Sequence, residues 1–179
     1  MPNAAWVNLA GGKGEPEYAA LGREFRASKM TFILHVPSWL AYTPLQTLDW
    51  KQVKYDSASF PDDSRGVYAF VLDSSQLAPG MFPPHAMVFY VGETGDQGNA
   101  TLKSRLQNYR NKKAQRDRAR LWAVLETWGE YLLFYYAVVA PGVSTKACET
   151  TLLDALVPPA NKKDFSAKVR LAREAAFNE

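Results

Sequence analysis

The sequence has 179 residues, of which 47% are apolar and 13% aromatic, enough for one domain with a hydrophobic core, or one domain with an extension. This composition excludes a disordered chain. A single cysteine, Cys148, excludes an internal disulfide and a zinc site built from several cysteines, so any bound metal must use oxygen ligands. The longest apolar stretches are too short to span a bilayer, and we therefore expect a soluble, cytoplasmic protein.

The net charge of +3 comes from 21 basic and 18 acidic residues, a difference too small to identify a partner. Eight of the basic residues, however, lie between residues 103 and 120, where Asp117 is the only acid. Such a run is either a solvated helical face or a surface that contacts the phosphates of DNA. The second interpretation predicts DNA contacts by Lys103, Arg110, Lys112, Lys113, Arg116 and Arg118.

The first third of the chain carries few signals. Pro16 and the helical spacing of the apolar residues that follow it predict a short helix. The segments 30–42 and 48–56 have extended or mixed patterns interrupted by prolines. We therefore predict an extension of unknown role over residues 1–63, followed by the main domain over residues 64–179.

Two apolar runs in the middle of the chain have the composition of buried strands. They are GVYAFVLD at residues 66–73 and AMVFYVGET at residues 86–94. The proline-containing loop between them predicts that the two strands form a connected antiparallel pair. A third strand is predicted within YLLFYYAVVAP, residues 131–141.

Four helices are predicted after residue 100. In the first, TLKSRLQNYRNKK, one face carries Leu102, Leu106 and Tyr109, and Arg105 lies on the same side, so a cation points toward the core. The other three are predicted over residues 116–128, 144–156 and 164–176.

Glu149 lies on the apolar face of the third predicted helix, together with Leu152, Leu153 and Leu156. An unpaired charge in such surroundings costs several kcal/mol as an order of magnitude. The spacing leaves two explanations open, which are a structural ion pair with Arg105 and a metal-binding or catalytic role.

Five sequence motifs resemble those of the GIY-YIG nuclease family. The resemblance lies both in their order along the chain and in the predicted strands, helices and loop that carry them. They are Gly66-Val67-Tyr68 and Tyr90-Val91-Gly92 on the first two strands, Arg105 and Tyr109 in the first helix, Glu149 in the third, and Asn161 in the loop after it. The resemblance covers about residues 64–163. It implies an α+β fold of the GIY-YIG type, a small three-stranded antiparallel sheet flanked by helices.

The resemblance also implies roles for these residues. Glu149 would bind one Mg²⁺ or Mn²⁺, with water and phosphate oxygens completing the shell. Arg105 would neutralise the scissile phosphate with its planar guanidinium. Tyr68 would act as general base or orient the attacking water, and we expect positive charge from Arg105 and the metal to lower its pKa.

The resemblance further implies that Tyr90 and Tyr109 position water and phosphate, and that Asn161 stabilises the site by hydrogen bonds. Each of these residues also has a plainer interpretation. The tyrosines are common strand and core residues, and an asparagine after two prolines is common in turns.

Two features depart from the family pattern. The interval of 22 residues between Tyr68 and Tyr90 is longer than usual, which predicts an additional surface element of the kind that helps restriction enzymes to grip DNA. Glu93 follows Gly92, where a positive residue is common in the repair branch of the family, and places an acid close to the expected phosphate.

These features together predict a metal-dependent DNA endonuclease acting on double-stranded or branched DNA. One alternative is a nucleic-acid-binding module that has the fold without efficient cleavage. Another is an interaction protein in which the basic run serves only solubility.

Overall fold

The computed structural model describes residues 29–73, 86–96, 98–111, 118–162 and 164–177. The helix predicted after Pro16 and the loop between the first two predicted strands lie outside these ranges. The chain divides into two compact units, residues 1–31 and 32–179, and all the elements below belong to the second unit.

The sheet contains four antiparallel strands in the described part of the chain, in the spatial order β1-β4-β2-β3. The strands are β1 (Lys51–Lys54), β2 (Gly66–Asp73), β3 (Ala86–Thr94) and β4 (Leu132–Val138). The three predicted strands and the antiparallel pairing of β2 with β3 are thus confirmed, as is the α+β class.

The prediction of a three-stranded sheet was wrong, because β1 adds a fourth strand from the segment before residue 64. It pairs with β4, with Lys51 opposite Tyr136 and Lys54 opposite Leu133. Its sequence, KQVK, is largely exposed, so it lacks the apolar alternation by which a strand is recognised. Its lysines suit an edge strand, where charge discourages pairing with other chains.

Five α-helices and one 3₁₀ turn flank the sheet in the described residues. The helices are α1 (Val36–Leu40), α2 (Leu102–Arg110), α3 (Ala119–Trp128), α4 (Thr145–Leu156) and α5 (Ala167–Phe177), and the 3₁₀ turn is Gly129–Tyr131. The last four helices match the predictions, although α3 begins three residues later than expected. None of the helices in these ranges combines the length and the apolar character needed to cross a bilayer.

β2 lies inside the sheet between β4 and β3, and its first seven residues are buried. Its odd-numbered side chains, such as Val67 and Ala69, form a core with Leu152 and Leu153 of α4. Tyr68 and Phe70 point to the other face and belong to an aromatic cluster, where Phe70 makes an edge contact with the ring of Tyr109 on α2. The alternation explains why the strand is apolar on both faces.

A network of hydrogen bonds and one ion pair at the surface fixes the start of α4. The Asp96 carboxylate accepts hydrogen bonds from the backbone N–H groups of Thr145 and Lys146, at 3.0 and 2.9 Å, and from the Ser144 hydroxyl at 2.5 Å. It also forms an ion pair with Arg65, whose guanidinium donates to the Val143 carbonyl at 2.9 Å. A carboxylate in this position satisfies helix N–H groups and interacts favourably with the helix dipole.

The pKa of Asp96 reflects this network. Partial burial raises the pKa, but the hydrogen bonds from Ser144, Lys146 and Thr145 lower it by a larger amount. The net shift of the pKa is therefore strongly downward. A depressed pKa in the folded state means that the carboxylate stabilises the fold above the pKa of the unfolded chain, about 3.9. That contribution is lost progressively as the pH falls below this value.

We predict that Asp96→Asn lowers the free energy of unfolding at pH 7 by about 1–2 kcal/mol, since charge-assisted hydrogen bonds are replaced by weaker ones. Denaturant titrations at pH 7, 5 and 3.5 should show the difference from wild type shrinking at the lowest pH. The matched control is Asp62→Asn, which removes the carboxylate of an exposed ion pair with Lys51 and should cost less than about 1 kcal/mol. A loss that is independent of pH, or equal in the two variants, would contradict this account.

Candidate active site

Tyr68 is at the centre of the candidate site. It is almost fully buried, and it lies directly opposite Gly92 on the neighbouring strand. A Cβ atom at position 92 would come within 2.5 Å of both Cζ and Oη of Tyr68, a distance that no side chain tolerates. The glycine of the second motif is therefore needed to make room for the tyrosine of the first.

Three tyrosine side chains from different elements meet here. The Oη atoms of Tyr68 and Tyr109 are 2.8 Å apart, and the ring of Tyr90 lies 6.3 Å from that of Tyr68. A β-bulge at Phe89, which has no partner residue opposite it on β2, directly precedes Tyr90 in β3. Bulges of this kind redirect neighbouring side chains and are common beside functional sites.

Arg118 belongs to the same cluster. Its Nη1 atom donates hydrogen bonds to the hydroxyls of Tyr90 and, at 3.1 Å, of Tyr109. The guanidinium carbon also lies 5.7 Å from the centre of the Tyr90 ring, within the range of a cation–π contact. Sequence analysis placed this residue with the DNA-contacting surface and missed its contact with the tyrosines. Arg118 immediately precedes the first residue of α3, so helical spacing could not predict which way its side chain points.

Burial dominates the acid–base behaviour of the tyrosines. It raises the pKa of Tyr68 well above the ordinary value, the neighbouring Tyr109 and Tyr90 raise it further, and Arg105 lowers it only slightly. Burial likewise raises the pKa of Tyr90, although the charge of Arg118 opposes this. Arg105 thus acts in the expected direction, but burial outweighs it, and both phenols are protonated at neutral pH.

Arg105 occupies the face of α2 that sequence analysis assigned to it, and its charge acts on Tyr68. Its Nε atom is buried and has no hydrogen-bond partner among the described residues. The ion pair with Glu149 that the spacing allowed is not formed, since the partner of Glu149 in the described ranges is Lys146. A guanidinium in this condition is well suited to bind an anion.

Glu149 is only 4% exposed, as its position on the apolar face of α4 predicts. Lys146, one turn earlier, places its ammonium 2.5 Å from a carboxylate oxygen of Glu149 and 3.2 Å from Asp164. Burial raises the pKa of Glu149 to about 7; Lys146 opposes the rise, whereas the charges of Asp164 and Glu93 add to it. Sequence analysis did not identify Lys146 or Asp164 as neighbours of this acid.

Glu149 could hold a hard divalent cation with few protein ligands if the cation took the place of the Lys146 ammonium. No three His, Cys, Asp or Glu side chains come together as a metal-binding group in the described ranges, so Glu149 would be the direct ligand. Mg²⁺ commonly uses one or two carboxylates together with water and substrate phosphate oxygens. The negative charges of Asp164 and Glu93, which raise the pKa of Glu149, would also favour a bound cation.

Asn161 acts on the backbone of β3. Its buried side-chain amide accepts a hydrogen bond from the Val91 N–H at 2.9 Å and donates one to the Val91 carbonyl at 2.8 Å. It thereby pairs with the edge of β3 as an additional strand residue would. The segment between Tyr90 and Gly92 is held from the side opposite β2.

Arg110, a predicted DNA contact, and Glu93, the acid that departs from the family pattern, both have hydrogen-bond partners inside the protein. Arg110 donates to the carbonyls of Tyr55, Lys54 and Ser59 and lies 4.7 Å from the centre of the Phe60 ring, so its donors are used within the fold. Glu93 accepts a hydrogen bond from the Thr145 hydroxyl at 2.6 Å.

The remaining residues of the predicted DNA-contacting surface divide into two groups. Lys103 is exposed on α2, as a phosphate contact requires. Lys112, Lys113 and Arg116 lie outside the described residues. The basic surface thus stays a prediction.

Comparison with family models, with curated proteins and with solved structures gives no match in any of the three searches. The interpretation of the site therefore depends on its own chemistry and on the motif resemblance.

Asn161→Ala should lower the free energy of unfolding by about 2 kcal/mol or more, because it leaves both polar groups of Val91 without their partner at a buried position. Chemical denaturation would measure the change. The control is Asn111→Ala, at an exposed position at the end of α2, for which we expect a change within about 0.5 kcal/mol. Equal stabilities of Asn161→Ala and wild type would show that Asn161 does not hold the strand edge.

Proposed function

We propose that the protein is a divalent-metal-dependent DNA endonuclease with a site of the GIY-YIG type. The observation that carries the proposal is a cluster of three phenol hydroxyls and one guanidinium, on which the charges of a second guanidinium and of a buried carboxylate act. The residues are Tyr68, Tyr90, Tyr109, Arg105, Arg118 and Glu149. All except Arg118 come from β2, β3, α2 and α4, the elements to which the resemblance assigns its motifs.

The cations and hydroxyls of this cluster suit a phosphodiester. Arg105 has a buried Nε without a hydrogen-bond partner in the described ranges, and a phosphate oxygen is the partner that a guanidinium binds best. The phenols add O–H groups that donate to the same oxygens. Donors fixed in advance around a phosphate stabilise the additional negative charge of the transition state.

Glu149 would hold the Mg²⁺ or Mn²⁺ ion. When bound there, the ion would supply electrostatic stabilisation of the leaving oxygen and of the phosphate. Lys146 contacts the same carboxylate and would have to share it or move aside.

Tyr68 would orient the attacking water through its hydroxyl. Its raised pKa argues against a resident phenolate that takes a proton in the unliganded protein. A general-base role would require the pKa to fall when substrate and metal bind.

Lys103 and, as the charge run predicts, Lys112, Lys113 and Arg116 would contact the phosphates of the DNA backbone. The target would be double-stranded or branched DNA. A cytoplasmic location, which we also propose, is consistent with a chain whose single cysteine is buried in α4.

One observation favours a second candidate, a DNA-binding module with little cleavage activity. The Lys146 ammonium lies 2.5 Å from Glu149, where it would compete with a divalent cation. Under this alternative the protein retards DNA in a salt-dependent manner, and neither Mg²⁺ nor Mn²⁺ produces nicks.

The Glu149→Ala variant tests the proposal directly. Wild type should nick or linearise supercoiled plasmid with Mg²⁺ or Mn²⁺ and not with EDTA, and Glu149→Ala should abolish cleavage while retarding DNA nearly as wild type does. Glu174→Ala, which removes an exposed acid on α5, is the control for loss of one carboxylate. Equal loss of binding and cleavage in Glu149→Ala would contradict the metal-binding role.

Arg105→Ala should lower the cleavage rate by about a hundredfold or more, which corresponds to about 3 kcal/mol of transition-state stabilisation. Arg105→Lys should recover little of this loss, because an ammonium cannot reproduce the planar pair of donors. Rates measured at saturating protein separate this effect from weaker binding. Wild-type rates in either variant would place the phosphate elsewhere.

A further inference from the structure

We infer that Arg118 is a positioning residue of the proposed active site, which sets the direction in which the hydroxyl groups of Tyr90 and Tyr109 donate their protons. The inference depends on the proposed nuclease function, and it extends that function to a residue outside the motifs that resemble those of the GIY-YIG family. It also differs from the role of a DNA contact that the charge run alone assigned to Arg118.

The position of Arg118 joins three elements. The residue immediately precedes α3, and its Nη1 atom contacts Tyr90 on β3 and Tyr109 on α2. No carboxylate forms an ion pair with it in the described part of the chain, where the ion pairs involve other cations. The two tyrosine hydroxyls accept its hydrogen bonds, and the charge of Asp164 acts on it from further away.

The chemistry of the guanidinium fixes the direction of these hydrogen bonds. Arginine has N–H donors and no acceptor, so the oxygens of Tyr90 and Tyr109 accept from Arg118 and their own protons point to other acceptors. The Tyr68 oxygen, 2.8 Å from that of Tyr109, is one such acceptor. When Tyr109 donates to Tyr68, the proton of Tyr68 is directed to a water molecule or a phosphate oxygen.

Loss of Arg118 would remove this order without removing any group that the resemblance assigns to chemistry. Each hydroxyl could then rotate and donate to its neighbours within the cluster. The hydroxyl groups would no longer be fixed toward the substrate, and a small misalignment of reacting or positioning groups can lower a rate by about a hundredfold. A contact with the DNA backbone would instead contribute mainly to affinity and to its dependence on salt.

The experiment compares Arg118→Met and Arg118→Lys with wild type. Single-turnover cleavage rates at saturating protein report on the bound complex, and Kd values at several salt concentrations report on phosphate contacts. We expect Arg118→Met to lower the rate about a hundredfold, with Kd within about twofold of wild type and an unchanged salt slope. Arg118→Lys should recover most of the rate, because one donor atom contacts both hydroxyls and an ammonium can replace it.

Lys54→Met is the matched control. It removes one exposed cation from β1, at the edge of the sheet opposite β3, and should change neither the rate nor the salt slope. If Arg118→Met instead weakens binding, reduces the salt slope by about 1 and cleaves at the wild-type rate once bound, Arg118 is a phosphate contact and the inference is overturned. An unchanged rate with unchanged binding overturns it as well.

A measurement that requires no activity separates this inference from the nuclease proposal. In protein labelled with ¹³C at the tyrosine Cζ atoms, the signals of Tyr90 and Tyr109 are assigned from the Tyr90→Phe and Tyr109→Phe variants. Both signals should shift in Arg118→Met, and much less in Arg118→Lys.

If wild type cleaves no DNA, the nuclease proposal fails and the NMR result alone decides. Shifted signals then support the alignment of the hydroxyl groups by Arg118, and unshifted signals overturn it. If Arg118→Met does not fold, Arg118→Gln, which also removes the charge, is compared with wild type in the same way, and unshifted signals together with an unchanged rate overturn the inference.

Discussion

The arrangement of the site depends on one steric constraint, the absence of a side chain at Gly92 opposite Tyr68. The aromatic ring of Tyr68 occupies the space that a Cβ atom would take, and from there its hydroxyl reaches that of Tyr109 on α2. A larger residue at position 92 would displace the ring and separate the strand from the helix at this point. The pairing of a tyrosine in one strand with a glycine in the next is thus a packing requirement as well as a motif.

The same burial that orders these groups also makes their charges expensive. It raises the pKa of Tyr68 and Tyr90 and brings that of Glu149 to about 7. Lys146 and Arg118 oppose the effect for Glu149 and Tyr90. A site of this kind holds its donors in fixed positions before substrate arrives, which is the condition for electrostatic stabilisation of a transition state. Under the proposed function, the same surroundings would strengthen the attraction between these groups and a phosphate or a metal ion.

The features that sequence could predict are those with strong local signals. The continuous apolar runs gave β2 and β3, and helical spacing placed Glu149 and Tyr109 on buried faces. β1 was missed because its edge position leaves it polar, and Arg118 was assigned to the surface because a residue that precedes a helix has no periodic neighbours. The contact of Lys146 with Glu149 was not predicted either. The spacing allowed several partners for this acid, and only the three-dimensional arrangement selects one.

The most direct test of the central claim is a crystal structure of Glu149→Ala bound to a short DNA duplex. The account predicts that one backbone phosphate lies beside Arg105, with an oxygen within hydrogen-bonding distance of at least one hydroxyl of Tyr68, Tyr90 or Tyr109. DNA bound on another surface, with no phosphate near these hydroxyls, would contradict the account.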